Sequence, residues 1–257
     1  MNADLQHKVY IVTGGSRGFG LAIAKGLVAH GARVGLLSRN REGLNQAVAD
    51  IGSDHAFGVA TDVAHREDIS AAFATIKAHF GRLDGLINNA GMARPNPVEN
   101  LVEQEVMMQV QTNFLGTVFC CQAVIPLLRG AANPRIINIS SASAWHYDEM
   151  SHLSIYAATK AAVERFSRDL RLELQVDGIG VTCIRPGGAW TSFADAWEPA
   201  AFHAGLEAWQ DSGSYMDTGM EATQVGDAVV YAVSQPAGVA VDLLEIRPNT
   251  LTPKVKY

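Results

Sequence analysis

A tyrosine and a lysine four residues apart, Tyr156 and Lys160 in YAATK, stand at the front of an apolar helical run. Residues with that spacing lie one above the other on one helix face. An adjacent ammonium favours phenolate over phenol and draws a tyrosine pKa down from about 10. Such a phenol can give a proton to, or take one from, an alcohol or carbonyl oxygen. The same spacing also describes a solvated helical pair, so the chemistry depends on what the rest of the chain brings to it. A second group of residues suits a different task. Gly14-Gly15-Ser16-Arg17-Gly18-Phe19-Gly20 follows a short apolar stretch, 8–13, and precedes the apolar helical pattern 21–29. Strand, glycine turn and helix together make a phosphate cradle: Gly14 permits the tight turn, Gly18 admits backbone close to a pyrophosphate, and Gly20 lets helix pack on sheet. The helix N-terminus adds free N–H groups and partial positive charge.

The residue at the end of the next strand, 32–38, meets the adenosine ribose in such folds. An acid there would bond the 2′-hydroxyl and repel a 2′-phosphate. This chain has Ser38 and Arg39, with Arg17 inside the turn. Two guanidiniums near one spot suit a phosphate dianion. One charge-assisted hydrogen bond is worth roughly 1.5–3 kcal/mol, so a preference for NADP(H) over NAD(H) of at least about tenfold is expected.

The glycine spacing is TGxxxGxG, not GxGxxG. With YxxxK it resembles the compact branch of the short-chain dehydrogenase/reductase family. Extended relatives, including many sugar-nucleotide epimerases, usually show TGxxGxxG on a longer chain. The resemblance implies further residues. Asp62 would bond the adenine amino group with help from the backbone of Val63, although Asp62 also reads as an N-cap for the helix 66–80. Asn89, Ala90 and Gly91 in NNAG would lie against the cofactor ribose. Asn113 sits within a long apolar helix, 101–128, where asparagine is a poor interior residue unless its side chain is employed. The resemblance has it bend the helix and support a water beside Lys160. Lys160 would also bond the nicotinamide ribose. Pro186 and Gly187 would turn the chain toward the nicotinamide, and Thr191 would bond its carboxamide or the phosphate.

The serine that orients the substrate has two candidates. Ser141 matches by register at the end of strand 134–140, and Ser143 lies thirteen residues before Tyr156. Ser141 is preferred, because register fixes a side chain's face while a loop accepts insertions. Trp145 and Tyr147 would line a substrate pocket or cover the core, and Trp190 is a further pocket candidate. His146 and His152 lack metal-ligand spacing, and no metal site is expected.

The elements that must position these residues alternate strand and helix, with further strands at 54–61, 81–88, 178–184 and 239–247 and helices at 156–175 and 225–234. Six or seven strands in that order imply a doubly wound parallel sheet, a Rossmann fold, with helices on both faces. The aromatic stretch 192–219 interrupts the pattern where ligands bind and would form a small helical lid. One domain over 1–257 is expected. The formal net charge of -6 argues against nucleic-acid binding. No run looks long enough to span a bilayer, and the short polar start lacks a signal core. Cys120, Cys121 and Cys183 read as buried free thiols of a cytoplasmic protein. The expected activity is hydride transfer between NADP(H) and a bulky or aromatic ketone or secondary alcohol, with a homodimer or homotetramer implied by the resemblance. A non-catalytic cofactor-binding module and an epimerase or dehydratase are the alternatives.

Overall fold

The computed structural model describes residues 5–146, 151–211, 213 and 215–254. Strand β1 (Val9–Thr13) runs into α1 (Gly18–Ala29), followed by β2 (Arg33–Ser38), α2 (Arg41–Ile51), β3 (Ala56–Ala60), α3 (Arg66–Phe80) and β4 (Gly85–Asn88). A long helical run then comprises α4 (Glu103–Gln109), a π segment (Val110–Leu115) and α5 (Gly116–Leu128). It leads to β5 (Arg135–Ile139), α6 (Ser154–Leu174) and β6 (Gly180–Pro186). Strand β7 (Ala189–Trp190) comes just before the lid stretch, which holds α7 (Pro199–Gln210) and β8 (Tyr215–Asp217), and β9 (Met220–Glu221) comes just after it. Helix α8 (Ala222–Val233), β10 (Leu243–Ile246) and β11 (Leu251–Pro253) follow.

Seven strands form one sheet in the order β3-β2-β1-β4-β5-β6-β10, and every pairing is parallel. Strand side chains alternate between faces, and both faces of β1 are apolar. Tyr10 and Val12 meet Ile23 and Leu27 of α1 and Val229 and Val233 of α8 on one side. Val9 and Ile11 meet Phe73 and Ile76 of α3 and Val124 and Leu128 of α5 on the other. Burial on both faces is why the strands read as unbroken apolar runs. Chain direction across the sheet reverses between β1 and β4, and ligands bind in the crevice that opens beyond strand ends at such a point.

Several expectations are corrected. The run 101–128 is not one α-helix: its middle turn is π, centred on Asn113. A π turn inside an α run is rare and marks a side chain with a task. Taken together, Glu103–Leu128 is after all long and apolar enough to cross a membrane. Within it, however, Gln109, Asn113 and Thr117 are buried polar residues that bond other parts of the fold or the helix backbone, as core helices do. Asp62 is not the N-cap of α3, which is His65; its carboxylate accepts from the Ala64 N–H at 3.0 Å instead. The three cysteines are buried free thiols, as expected.

Candidate active site

The strand ends and the lid enclose a cleft of about 590 Å³. Its floor begins at the glycine turn. Gly14 and Gly18 have positive φ, +64° and +54°, which L side chains rarely adopt. A Cβ on Gly18 would meet nothing nearer than Thr191 at 3.8 Å, so this backbone lies open toward the cleft with Thr191 opposite. Arg17 is the N-cap of α1 by backbone only; its side chain makes no cap bond, leaving the first N–H groups for an anion. Gly20 works differently. A Cβ there would fall 2.2 Å from the Gly14 carbonyl oxygen, so the glycine lets α1 close onto its own turn.

Thr13 ties this floor to the NNAG segment. Its hydroxyl accepts from the N–H groups of Asn89 and Ala90, both at 3.0 Å, while Asn89 Nδ2 donates to the Thr13 carbonyl at 2.9 Å. Gly91 then passes close to the deeper machinery: a Cβ there would lie 3.3 Å from Lys160 Nζ and 3.5 Å from Asn113 Oδ1. Asn113 accepts from Met92 N–H and donates to the Met92 carbonyl, each at 2.8 Å, and also donates to Thr159 at 3.0 Å. The π turn therefore delivers an amide that fixes both the segment after NNAG and the helix carrying Lys160.

At the adenosine end, Ser16 and Ser38 hydroxyls meet at 3.0 Å. Arg39 and Asp62 face each other at 3.8 Å, as do Arg17 and Asp195 of the lid, all with substantial exposure. Such pairs are worth about 0–1 kcal/mol, little against a bound phosphate.

At the other end, Tyr156 and Lys160 project from the first turns of α6, with Lys160 Nζ 5.7 Å from the Tyr156 ring centroid. Lys160 is only 4% exposed, and Nζ donates to the Ile139 carbonyl at 2.8 Å. Burial lowers its pKa to about 8. The two serine candidates are not rivals in space: both line the cleft, and their hydroxyls are 2.8 Å apart. Aromatic rings of the lid complete this end. Phe193 lies 5.5 Å from Tyr156, Trp197 5.9 Å from Phe193, and Phe202 5.6 Å from Trp197.

Of the residues chosen from sequence, Gly14, Ser16, Arg17, Gly18, Phe19, Ser38, Arg39, Asp62, Val63, Asn89, Ala90, Gly91, Ser141, Ser143, Tyr156, Lys160, Pro186, Gly187, Trp190 and Thr191 line this one cleft. Gly15, Gly20, Asn113 and Trp145 do not. Gly15 faces β2, where a Cβ would press on Leu36 at 3.0 Å. Trp145 is 67% exposed and covers the Arg185 guanidinium at 5.6 Å. Its assignment to the substrate is corrected on that ground, and Tyr147 lies outside the described residues. Sequence reading passed over Met92, Thr112 and Leu153 on the wall. It also missed Glu164, although the four-residue spacing Tyr156, Lys160, Glu164 announces one continuous helix face.

The family model described as short chain dehydrogenase matches residues 8–201. An uncharacterized oxidoreductase of Staphylococcus aureus strain USA300 is 32% identical over 244 residues, covering 95% of this chain and 98% of the relative. The closed form of a serine dehydrogenase complexed with NADP+ is 29% identical with a TM-score of 0.81, over 93% of this chain and 94% of that one. A 3-ketoacyl-(acyl-carrier-protein) reductase from Brucella melitensis, complexed with NADH, is 26% identical with a TM-score of 0.82, over 94% and 97%.

Proposed function

We propose that this chain, a member of the short-chain dehydrogenase family and an oxidoreductase by that membership, interconverts a ketone and a secondary alcohol with NADP(H). The observation that carries this reading is the convergence, in one cleft, of an open glycine turn at one end and Tyr156, Lys160 and the Ser141/Ser143 pair at the other. A dinucleotide fits the chemistry of the wall. Backbone at Gly18 and Gly188 is open toward any ligand, the N-terminus of α1 has no side-chain cap, and Thr191 stands across from it.

When bound, the cofactor supplies or accepts the hydride; the protein's part is position and proton. Tyr156 gives its hydroxyl proton to the substrate oxygen in reduction and takes it back in oxidation. Lys160, driven into a dry site beside the phenol ring, stabilises the phenolate that results. The paired serine hydroxyls hold the substrate oxygen, one bonding it and the other fixing the first. Asn113 keeps Met92 and Thr159 in register around them and supports the route by which Tyr156 is reprotonated. Phe193, Trp197 and Phe202 exclude water and favour a bulky or aromatic substrate, since a wall of rings rewards apolar area.

Support for NADP(H) over NAD(H) comes from Arg17 and Arg39. Each faces its carboxylate across 3.8 Å, Asp195 exposed and Asp62 half-buried, so a 2′-phosphate would outcompete both for the guanidiniums and gain charge-assisted bonds. The related structures hold NADP+ in one case and NADH in the other, which leaves the choice to each chain's own residues. The test is spectrophotometric consumption of NADPH and NADH against a panel of ketones. The expected result is turnover of bulky aryl ketones with NADPH favoured by about tenfold or more. NADH as the better cofactor would overturn the reading of the arginines. Tight NADPH binding with no turnover across the panel would favour the non-catalytic module.

A further inference from the structure

Beneath the serine pair runs a chain of charged groups that no step above employs. Arg185 is the penultimate residue of β6, beside the Pro186-Gly187 turn, and is buried. Its Nε and Nη2 donate to the two oxygens of Glu164 at 2.8 and 2.6 Å. Its Nη1 donates to Glu245 Oε2 on β10 at 2.7 Å. The other Glu245 oxygen meets His146 Nε2 at 2.7 Å. Glu164 Oε1 also accepts from the Ser140 hydroxyl at 2.8 Å.

The circuit is closed in an informative way. It leaves the serine turn at Ser140, one residue before Ser141, and returns at His146, three residues after Ser143. Glu164 lies one helical turn beyond Lys160 on the same face. One guanidinium therefore ties both ends of the serine turn to the helix carrying Tyr156 and to the turn at Pro186. Planar, bidentate bonds of this kind fix direction as well as distance. His146 is the terminal link of this chain, its side chain 28% exposed beside Glu245 at 30%. Its removal leaves the buried Arg185–Glu164 pair whole.

We propose that His146 and Glu245 are positioning residues, which hold the turn bearing Ser141 and Ser143 against Tyr156 and set turnover without touching substrate or cofactor. This rests on the reading of those serines as the groups that orient the substrate oxygen. Misplacing a reacting group by an ångström can cost on the order of 10²-fold; a loosened turn should cost part of that.

The experiment compares His146→Phe, His146→Gln and Glu245→Gln with the wild type by melting, NADPH titration and steady-state ketone reduction. Expected are unchanged NADPH affinity, near-normal melting, and kcat about tenfold lower for His146→Phe and Glu245→Gln. His146→Gln restores an N–H donor and should recover most of the turnover. Combining His146→Phe with Glu245→Gln should cost no more than either alone. Additive losses, no rescue by Gln, or a parallel loss of NADPH affinity would each overturn the proposal. An active wild type with unaffected variants overturns this inference alone. A wild type that reduces no ketone removes the function beneath it as well.

Discussion

The two walls of the cleft are built by different means. On the glycine-turn side the strands are buried on both faces, and the wall is backbone held by directional bonds from Thr13, Asn89 and Asn113. On the lid side, Gly205 is the one fully buried residue of α7, and contact with the site is ring against ring. The lid is moored by the short pairing of β7 with β9 and of β8 with β11, by Lys254 lying over Trp209, and by exposed or half-buried ion pairs such as Arg17 with Asp195 and Arg247 with Asp217. A backbone wall accepts one ligand shape, because moving it breaks buried hydrogen bonds. A wall of surface side chains can exchange residues without disturbing the sheet. On the proposed reading, cofactor recognition falls to the backbone wall and substrate choice to the wall of side chains.

Four experiments, with five substitutions between them, sharpen that contrast. The largest effect is expected for Tyr156→Phe, which removes the proton donor and leaves the cofactor wall intact. Turnover should fall roughly 10²–10⁴-fold, with NADPH affinity by fluorescence titration unchanged. Near-wild-type reduction would remove Tyr156 from the mechanism.

Lys160→Met should lower turnover by less than Tyr156→Phe does and yet stabilise the fold. Unfolded, the ammonium holds its proton to about pH 10.5; folded, burial lowers the pKa to about 8. Between those values the unfolded chain binds more protons, so stability gained from this group rises with pH. The cost of the buried charge is full below pH 8 and gone above about 10.5. At neutral pH the variant should be more stable by on the order of 2 kcal/mol, allowing for the lost bond to Ile139. Denaturant midpoints across that pH range should show the gap closing. A constant gap would mean that charge burial is not its source.

The third experiment pairs Gly20→Ala with Gly188→Ala. The first drives a Cβ to 2.2 Å from a backbone oxygen, whereas the second meets nothing within 4 Å. Gly20→Ala should cost about 1–3 kcal/mol, or several degrees in Tm, and Gly188→Ala should melt like the wild type. The smallest effect belongs to the lid. Phe202→Ala should raise KM for an aryl ketone by about tenfold, from lost apolar contact, with kcat for a small ketone and NADPH affinity unchanged. Loss of NADPH affinity would show that the walls are not separable.

Much of the cofactor wall was legible because its signals are local. Gly14 and Gly18 had to be glycine for their own φ, and Tyr156 and Lys160 share a face by spacing alone. The misses have separate causes. Asp62 read equally as an adenine contact and as a helix cap; it lines the cleft and is no cap, because chain direction after β3 points its carboxylate at the Ala64 N–H. Trp145 looked like pocket lining, but a guanidinium forty residues further on claims its ring. Helix 41–51 was not anticipated, and neither were the two-residue strands flanking the lid: one is too polar and the others too short for a periodic signal. Serine choice by sequence separation posed a question that the turn between Ser141 and Ser143 dissolves.

The π turn at Val110–Leu115 has a bearing on how this chain tolerates changes of length. A π turn takes up about one residue more than the α turns flanking it. Dropping a single residue there would mend the helix, restoring a regular ladder from Glu103 to Leu128. The same deletion would leave the flanking halves in much the same orientation and remove the local widening from which Asn113 reaches Met92 and Thr159. At this point in the molecule a shorter chain makes the better helix, and the extra residue is kept in register by the site alone.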